Sequence, residues 1–92
     1  MIDMEGKVKA TIYTRHFCGY STRALALLQR KGFDVDEIDV SNEPSRRAEM
    51  IERSSGASTF PQVFIGDRHV GGCDELFDLD ESGELDRLLE AA

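Results

Sequence analysis

The sequence predicts an α/β fold of order β-α-β-α-β-β-α, a central four-stranded mixed sheet flanked by helices. Three observations carry that prediction. Short stretches alternate apolar and polar residues, which is the period of a half-buried strand. Between them, apolar residues recur three and four positions apart, which is the period of a helix. Gly66-Asp67 then separates two strand-like runs by two residues with glycine first, a hairpin signature.

The elements follow in order. "KVKATIYT" (7–14) sets Val8, Ala10 and Ile12 against Lys7, Lys9 and Thr11 and reads as the first strand. After Cys18, Ala24, Leu27 and Leu28 recur at helical spacing, and Gly32 suits a left-handed end to that helix. "FDVDEIDV" (33–40) is alternating and β-branched, a second strand. The next segment is a helix with Ser41 or Asn42 as its cap, Pro44 in its first turn, Met50 and Ile51 as its apolar stripe and Gly56 at its end. "PQVFI" (61–65) and "RHV" (68–70) are the third and fourth strands. The remainder is one helix, or two broken at Ser82-Gly83, with Leu76, Leu79, Leu85, Leu88 and Leu89 facing inward. The first half forms one β-α-β unit and the second adds an antiparallel hairpin.

Composition narrows the function. Ninety-two residues fit one domain, 1–92, of which the first six read as a loose tail. The net charge of −7 argues against a nucleic-acid partner, which would need a basic surface. No apolar run reaches the roughly 18–20 residues of a membrane span. The N-terminus lacks the apolar core of a secretory signal, and two cysteines far apart do not make a secreted disulfide framework. The expectation is a reduced, cytoplasmic setting in which cysteine serves reactivity or metal.

Chemistry gathers at three motifs. Cys18 falls between the first strand and the first helix. A helix N-terminus presents unpaired N–H groups and roughly half a positive charge, which favours thiolate over thiol. A free cysteine titrates near pH 8.5, and such a position lowers it to about 3.5–7.5. Arg15 pushes the same way. "STFPQVFI" sets Pro61 directly before a strand; from sequence alone the Phe60–Pro61 bond defaults to trans. "VGGCDEL" places two glycines and an acid at the start of the last helix, where backbone N–H groups can approach a carboxylate. On its own that motif also reads as a simple turn, and Cys73 within it as a small buried side chain. His16 and His69 have no zinc-like spacing with the cysteines, and Arg46-Arg47 reads as a solvated helix face.

Together, "IYTRHFCGYS", "STFPQVFI" and "HVGGCDEL" resemble glutaredoxin, in order and spacing, from Val8 to Leu89. The chain looks most like the short bacterial type that usually carries Cys-Pro-Tyr-Cys. The resemblance implies a thioredoxin-like fold, a Cys18 nucleophile within the active-site motif Gly19, Tyr20 and Ser21, and a cis Phe60–Pro61 bond. It implies glutathione as cofactor, bound by Arg15, Tyr20, Thr59, Phe60, Pro61, Gly72, Cys73 and Asp74. In this reading Arg15 meets the glycine carboxylate, Tyr20 lines the groove, and Phe60 offers its backbone as a short added strand. Cys73 and Asp74 receive the γ-glutamyl end. Arg47 for the glycine carboxylate and Glu75 for the ammonium are weaker members of the set.

Two departures matter. Gly19 replaces the usual proline and Ser21 the usual second cysteine, so a dithiol-type body carries a monothiol-like site. The sequence leaves open whether Ser21 is native or an engineered replacement. One sulfur suffices to reduce a mixed disulfide between glutathione and a protein, so the expected partners are glutathione and glutathionylated proteins. The alternative is a [2Fe-2S] cluster shared between two subunits, with Cys18 as the one protein ligand from each and glutathione as the other; the protein is then a dimer, and otherwise a monomer. A third reading makes Cys73 a distant resolving thiol for Cys18, which requires Cα atoms within roughly 7 Å.

Overall fold

A computed structural model describes residues 7–90; the expected tail, 1–6, lies outside them. The elements are β1 (Lys9–Thr14), α1 (Gly19–Lys31), β2 (Asp34–Asp39), α2 (Pro44–Arg53), β3 (Gln62–Ile65), β4 (Arg68–Gly71), α3 (Cys73–Ser82) and α4 (Glu84–Glu90). The sheet order is β2-β1-β3-β4. β1 pairs parallel with β2, Ile12 opposite Glu37, and antiparallel with β3, Ile12 opposite Val63. β3 and β4 are antiparallel, with a register shift between Val63 and Phe64. This is the thioredoxin-like arrangement of a mixed sheet between helices.

Strand alternation divides the core by face. Val8, Ala10, Ile12, Val63 and Ile65 pack with Ala24, Leu27, Leu28, Leu76 and Leu85, so one face carries α1, α3 and α4. Tyr13 and Phe64 point the other way and pack with Val40 and Met50 under α2. Truncating a fully buried Leu27, Leu28 or Ile12 to alanine would cost about 2–5 kcal/mol. The Tyr13 hydroxyl donates to Glu49 and accepts from Arg53 (2.9 Å), and the Arg53 guanidinium stacks 4.3 Å from the centre of the Phe64 ring. These contacts tie α2 to the sheet.

Two helix boundaries differ in detail from the sequence reading, and a third takes one of the two forms it left open. The α2 cap is Glu43, without a side-chain bond, rather than Ser41 or Asn42. Ser41 is drawn away because its hydroxyl accepts from the His16 N–H (2.8 Å) while its own N–H donates to Asp39 Oδ1 (2.9 Å). α2 stops at Arg53, where the Ser54 hydroxyl bonds back to the Met50 carbonyl (2.7 Å), before Gly56. The last helical stretch is two helices, with Gly83 at φ 84° between them. Lys31 bridges that corner to the end of α1, 2.7 Å from Asp80 and 3.1 Å from Asp86. Gly32 ends α1 at φ 93°, a conformation a side chain would resist.

Candidate active site

Cys18 is the N-cap of α1, in extended conformation (φ −107°, ψ 105°), at the end of the loop that leaves the central strand. Thr22 bonds to its carbonyl through both N–H (3.2 Å) and hydroxyl (3.3 Å). No acid lies in the first turn of α1, and Arg30 and Lys31 lie in the last, so the charges along the helix favour an anion at its start. The residue is only 7% exposed. The sulfur is thus more sheltered than a bare helix tip would leave it, at 4.0 Å from the Phe60 carbonyl oxygen.

Burial alone would raise the Cys18 pKa. Hydrogen bonding from the Ser21 side chain and N–H, the Arg15 charge and the Tyr20 N–H outweigh it, so the pKa falls below its ordinary value. Ser21 is itself buried, at 3% exposure. Its Oγ has no hydrogen-bond partner at ideal geometry among the described residues, so its proton is available to the sulfur. One helical turn beyond the cap, Ser21 turns inward under the sulfur. Cys73 behaves oppositely. It is buried in the larger core cluster, and burial foremost raises its pKa despite the Arg23 charge. It is a thiol near neutral pH where Cys18 is biased to thiolate.

Two clefts flank Phe60. One, of about 190 Å³, has Tyr20 on one side, Thr59 and Phe60 on another, and Gly72, Cys73, Asp74 and Glu75 at the start of α3. The other, of about 290 Å³, is lined by Arg15, His16, Val40, Ser41, Arg47 and Phe60. The Arg15 guanidinium stands 5.9 Å from the Phe60 ring centre. The Phe60–Pro61 peptide is cis, and Pro61 is buried. Thr59 is held by Gln62, whose amide donates to the Thr59 carbonyl (3.0 Å) and hydroxyl (3.1 Å). The first cleft thus ends in acids and helix N–H groups, and the second in two arginines.

At the α3 start, Glu75 Oε1 accepts from the Gly72 N–H (2.7 Å), the glutamate half of a capping box, since Gly72 has no side chain to return the bond. Gly71 precedes it at φ 117°, and a Cβ there would lie 2.8 Å from Glu75 Oε1, so glycine is needed both for the turn and for the close approach. That carboxylate oxygen is already engaged with the backbone. Sequence reasoning missed this cap, although a Gly-x-x-Glu spacing before an apolar helix was there to be read. It also missed Val40 and Ser41 in the second cleft, which only the parallel pairing of β1 and β2 brings beside Arg15. His16 pairs with Asp39 (3.0 Å), and His69 bonds to Gln62 (2.7 Å); neither bonds to Cys18 among the described residues.

A thioredoxin-like sheet whose first helix is capped by a thiolate-biased cysteine beside a cleft defines a thiol–disulfide oxidoreductase. The comparisons narrow the class. The glutaredoxin family model matches residues 10–70. A glutaredoxin from Pseudomonas aeruginosa is 51% identical over 80 residues, covering 87% of this chain and 94% of that protein. The solution structure of a glutaredoxin from Brucella melitensis matches with a TM-score of 0.76 at 58% identity, over 90% of this chain and 89% of that one. A buckwheat glutaredoxin crystallised as its glutathione complex matches with a TM-score of 0.80 at 28% identity, over 91% of this chain and 78% of that one. The chain belongs to the glutaredoxin family, the glutathione-dependent thiol oxidoreductases.

Proposed function

We propose that the protein reduces mixed disulfides between glutathione and proteins by a monothiol mechanism through Cys18. The observation that carries this reading is a single reactive sulfur: Cys18 is biased to thiolate at a helix cap beside a cleft, and Ser21 stands where a resolving thiol would be. The Cys18 thiolate attacks the glutathione sulfur of the mixed disulfide. The protein thiolate leaves and takes up a proton, and a Cys18–glutathione disulfide remains. A second glutathione thiolate then attacks the glutathione sulfur of that bond, releasing oxidised glutathione and restoring the Cys18 thiolate. Each step is thiol–disulfide exchange, governed by thiolate fraction, leaving-group pKa and access.

The two clefts suit the two ends of the tripeptide. Arg15 and Arg47 offer cations to the glycine carboxylate. The N-terminal turn of α3, at Cys73 and Asp74, offers N–H groups to the γ-glutamyl carboxylate, and the Asp74 carboxylate faces its ammonium. Tyr20, Thr59, Phe60, Pro61 and Gly72 form the wall between them. Orientation in that groove decides which of the two sulfurs Cys18 attacks. The chemistry suits a reducing compartment such as the cytoplasm; no helix among the described residues is long and apolar enough to cross a membrane.

The test is turnover of a glutathionylated peptide with glutathione. Cys18→Ser should abolish it and Cys73→Ser should preserve most of it; a Cys18→Ser protein that still turned over would refute the assignment. The family resemblance also raises a [2Fe-2S] cluster. Among the described residues no three ligating side chains converge, so one chain would contribute the Cys18 thiolate alone. Anaerobic reconstitution with iron, sulfide and glutathione tests that role: visible absorption together with a dimer supports it, and a colourless monomer counts against it.

A further inference from the structure

Phe17 has no role in the exchange chemistry above, yet three features set it apart. Its side chain is fully exposed, at 103%, and Tyr20, at 58%, is the other large hydrophobic side chain exposed among the described residues. The two therefore flank Cys18 on either side. Phe17 also holds φ 55°, a left-handed conformation that is an outlier for a bulky side chain. An aromatic ring that gains no burial from folding, on a backbone that would relax with glycine, points to a contact made outside the chain. Among the described residues its ring neighbour is His16, edge-on at 6.2 Å.

The charges around it suggest the kind of contact. Arg15 precedes Phe17 and Arg23 follows on α1, both exposed, in a chain whose net charge is −7. The patch is continuous with the first cleft through Tyr20, which lines it. Taken as the groove for glutathione, that cleft holds only one half of a mixed disulfide. The other half is a polypeptide that must approach past the loop bearing Phe17 for the glutathione sulfur it carries to reach Cys18.

We propose that Phe17, with Tyr20 beside it, is a specificity determinant for the polypeptide half of the substrate. It favours a glutathionylated cysteine that has a branched or aromatic apolar neighbour, with acidic rather than basic residues beyond it. The inference rests on the deglutathionylation reading and names the substrate class of that same site. Phe17 makes no contact with the tripeptide in this scheme, so small glutathione disulfides should not sense it.

Three substrates test it: a glutathionylated peptide with leucine beside the cysteine and glutamates beyond, the same peptide with serine for leucine, and the cysteine–glutathione disulfide. Phe17→Gly should lower kcat/KM for the leucine peptide about tenfold, the worth of partly burying one phenyl ring. It should leave the other two substrates within about twofold. Its melting temperature should equal or exceed that of the wild type, because the left-handed position is relieved. Phe17→Leu should restore most of the leucine-peptide rate. Equal effects on all three substrates, or none on any, would overturn the proposal. A wild-type protein inactive on all three would instead overturn the function on which it rests.

Discussion

Replacing Ser21 with alanine should make the Cys18 thiolate scarcer and, at the same time, more nucleophilic. Ser21 is buried beneath the sulfur, and its hydroxyl has no other partner among the described residues, so the change orphans nothing else. A hydrogen bond to a charged group is worth about 1.5–3 kcal/mol. The lower end applies because the hydroxyl lies outside ideal bonding geometry and the backbone N–H groups of Ser21 and Tyr20 remain. About 1.5 kcal/mol corresponds to roughly a tenfold loss of acidity. Thiolate nucleophilicity rises with basicity at a slope near 0.4–0.5, so each remaining thiolate should react about threefold faster. The two effects oppose each other differently across pH. On the acid limb, where thiolate is the minor form, alkylation by iodoacetamide should be about threefold slower than in the wild type. On the alkaline plateau it should be about threefold faster, so the two pH–rate profiles must cross. Profiles that superimpose, or stay parallel over the whole range, would refute the role assigned to the hydroxyl.

Other consequences are equally direct. Gly71→Ala should lower stability by about 1–3 kcal/mol, because φ 117° resists a side chain and the new Cβ displaces the Glu75 cap. A melting temperature lowered by less than roughly 4 °C would contradict that. The cysteines should also imprint on the pH dependence of unfolding. Between the lowered native pKa of Cys18 and the ordinary value of 9.0, the unfolded chain binds more protons than the native one, so stability rises with pH. That component is lost as pH falls through the native pKa, and Cys18→Ser should lack it. Cys73 has the opposite sign: its raised pKa makes stability fall above pH 9.0, and Cys73→Ser should flatten that fall in chemical denaturation.

Much of this architecture could be read in the chain because local signals and burial agree. Alternation at Val8, Ala10 and Ile12 located the central strand, and the 3–4 spacing of Ala24, Leu27 and Leu28 located α1 with its end at Gly32. Where a residue had competing partners, the reading slipped. Ser41 has the chemistry of a helix cap, but parallel pairing brings the His16 N–H to its hydroxyl, and that long-range bond wins. The site followed the same rule. Cys18 announces itself by position, whereas the burial of Ser21 and the exposure of Phe17 depend on how α1 meets the sheet. No local pattern encodes that. The second cleft is harder still, since Arg15, Ser41 and Arg47 come from three segments that only the fold assembles.

The two-sided core has a consequence for how the molecule breathes. α2 is anchored by one fully buried side chain, Met50, and by the Tyr13–Glu49–Arg53 bonds. Its release would leave the packing of α1, α3 and α4 on the opposite face intact. Sub-global opening of this kind gives early amide exchange in one segment while the rest stays protected. On the proposed reading, in which Arg47 meets the glycine carboxylate, that end of the groove would slacken its hold while the frame around the sulfur stays assembled, so release of a spent tripeptide need not disturb the reactive centre.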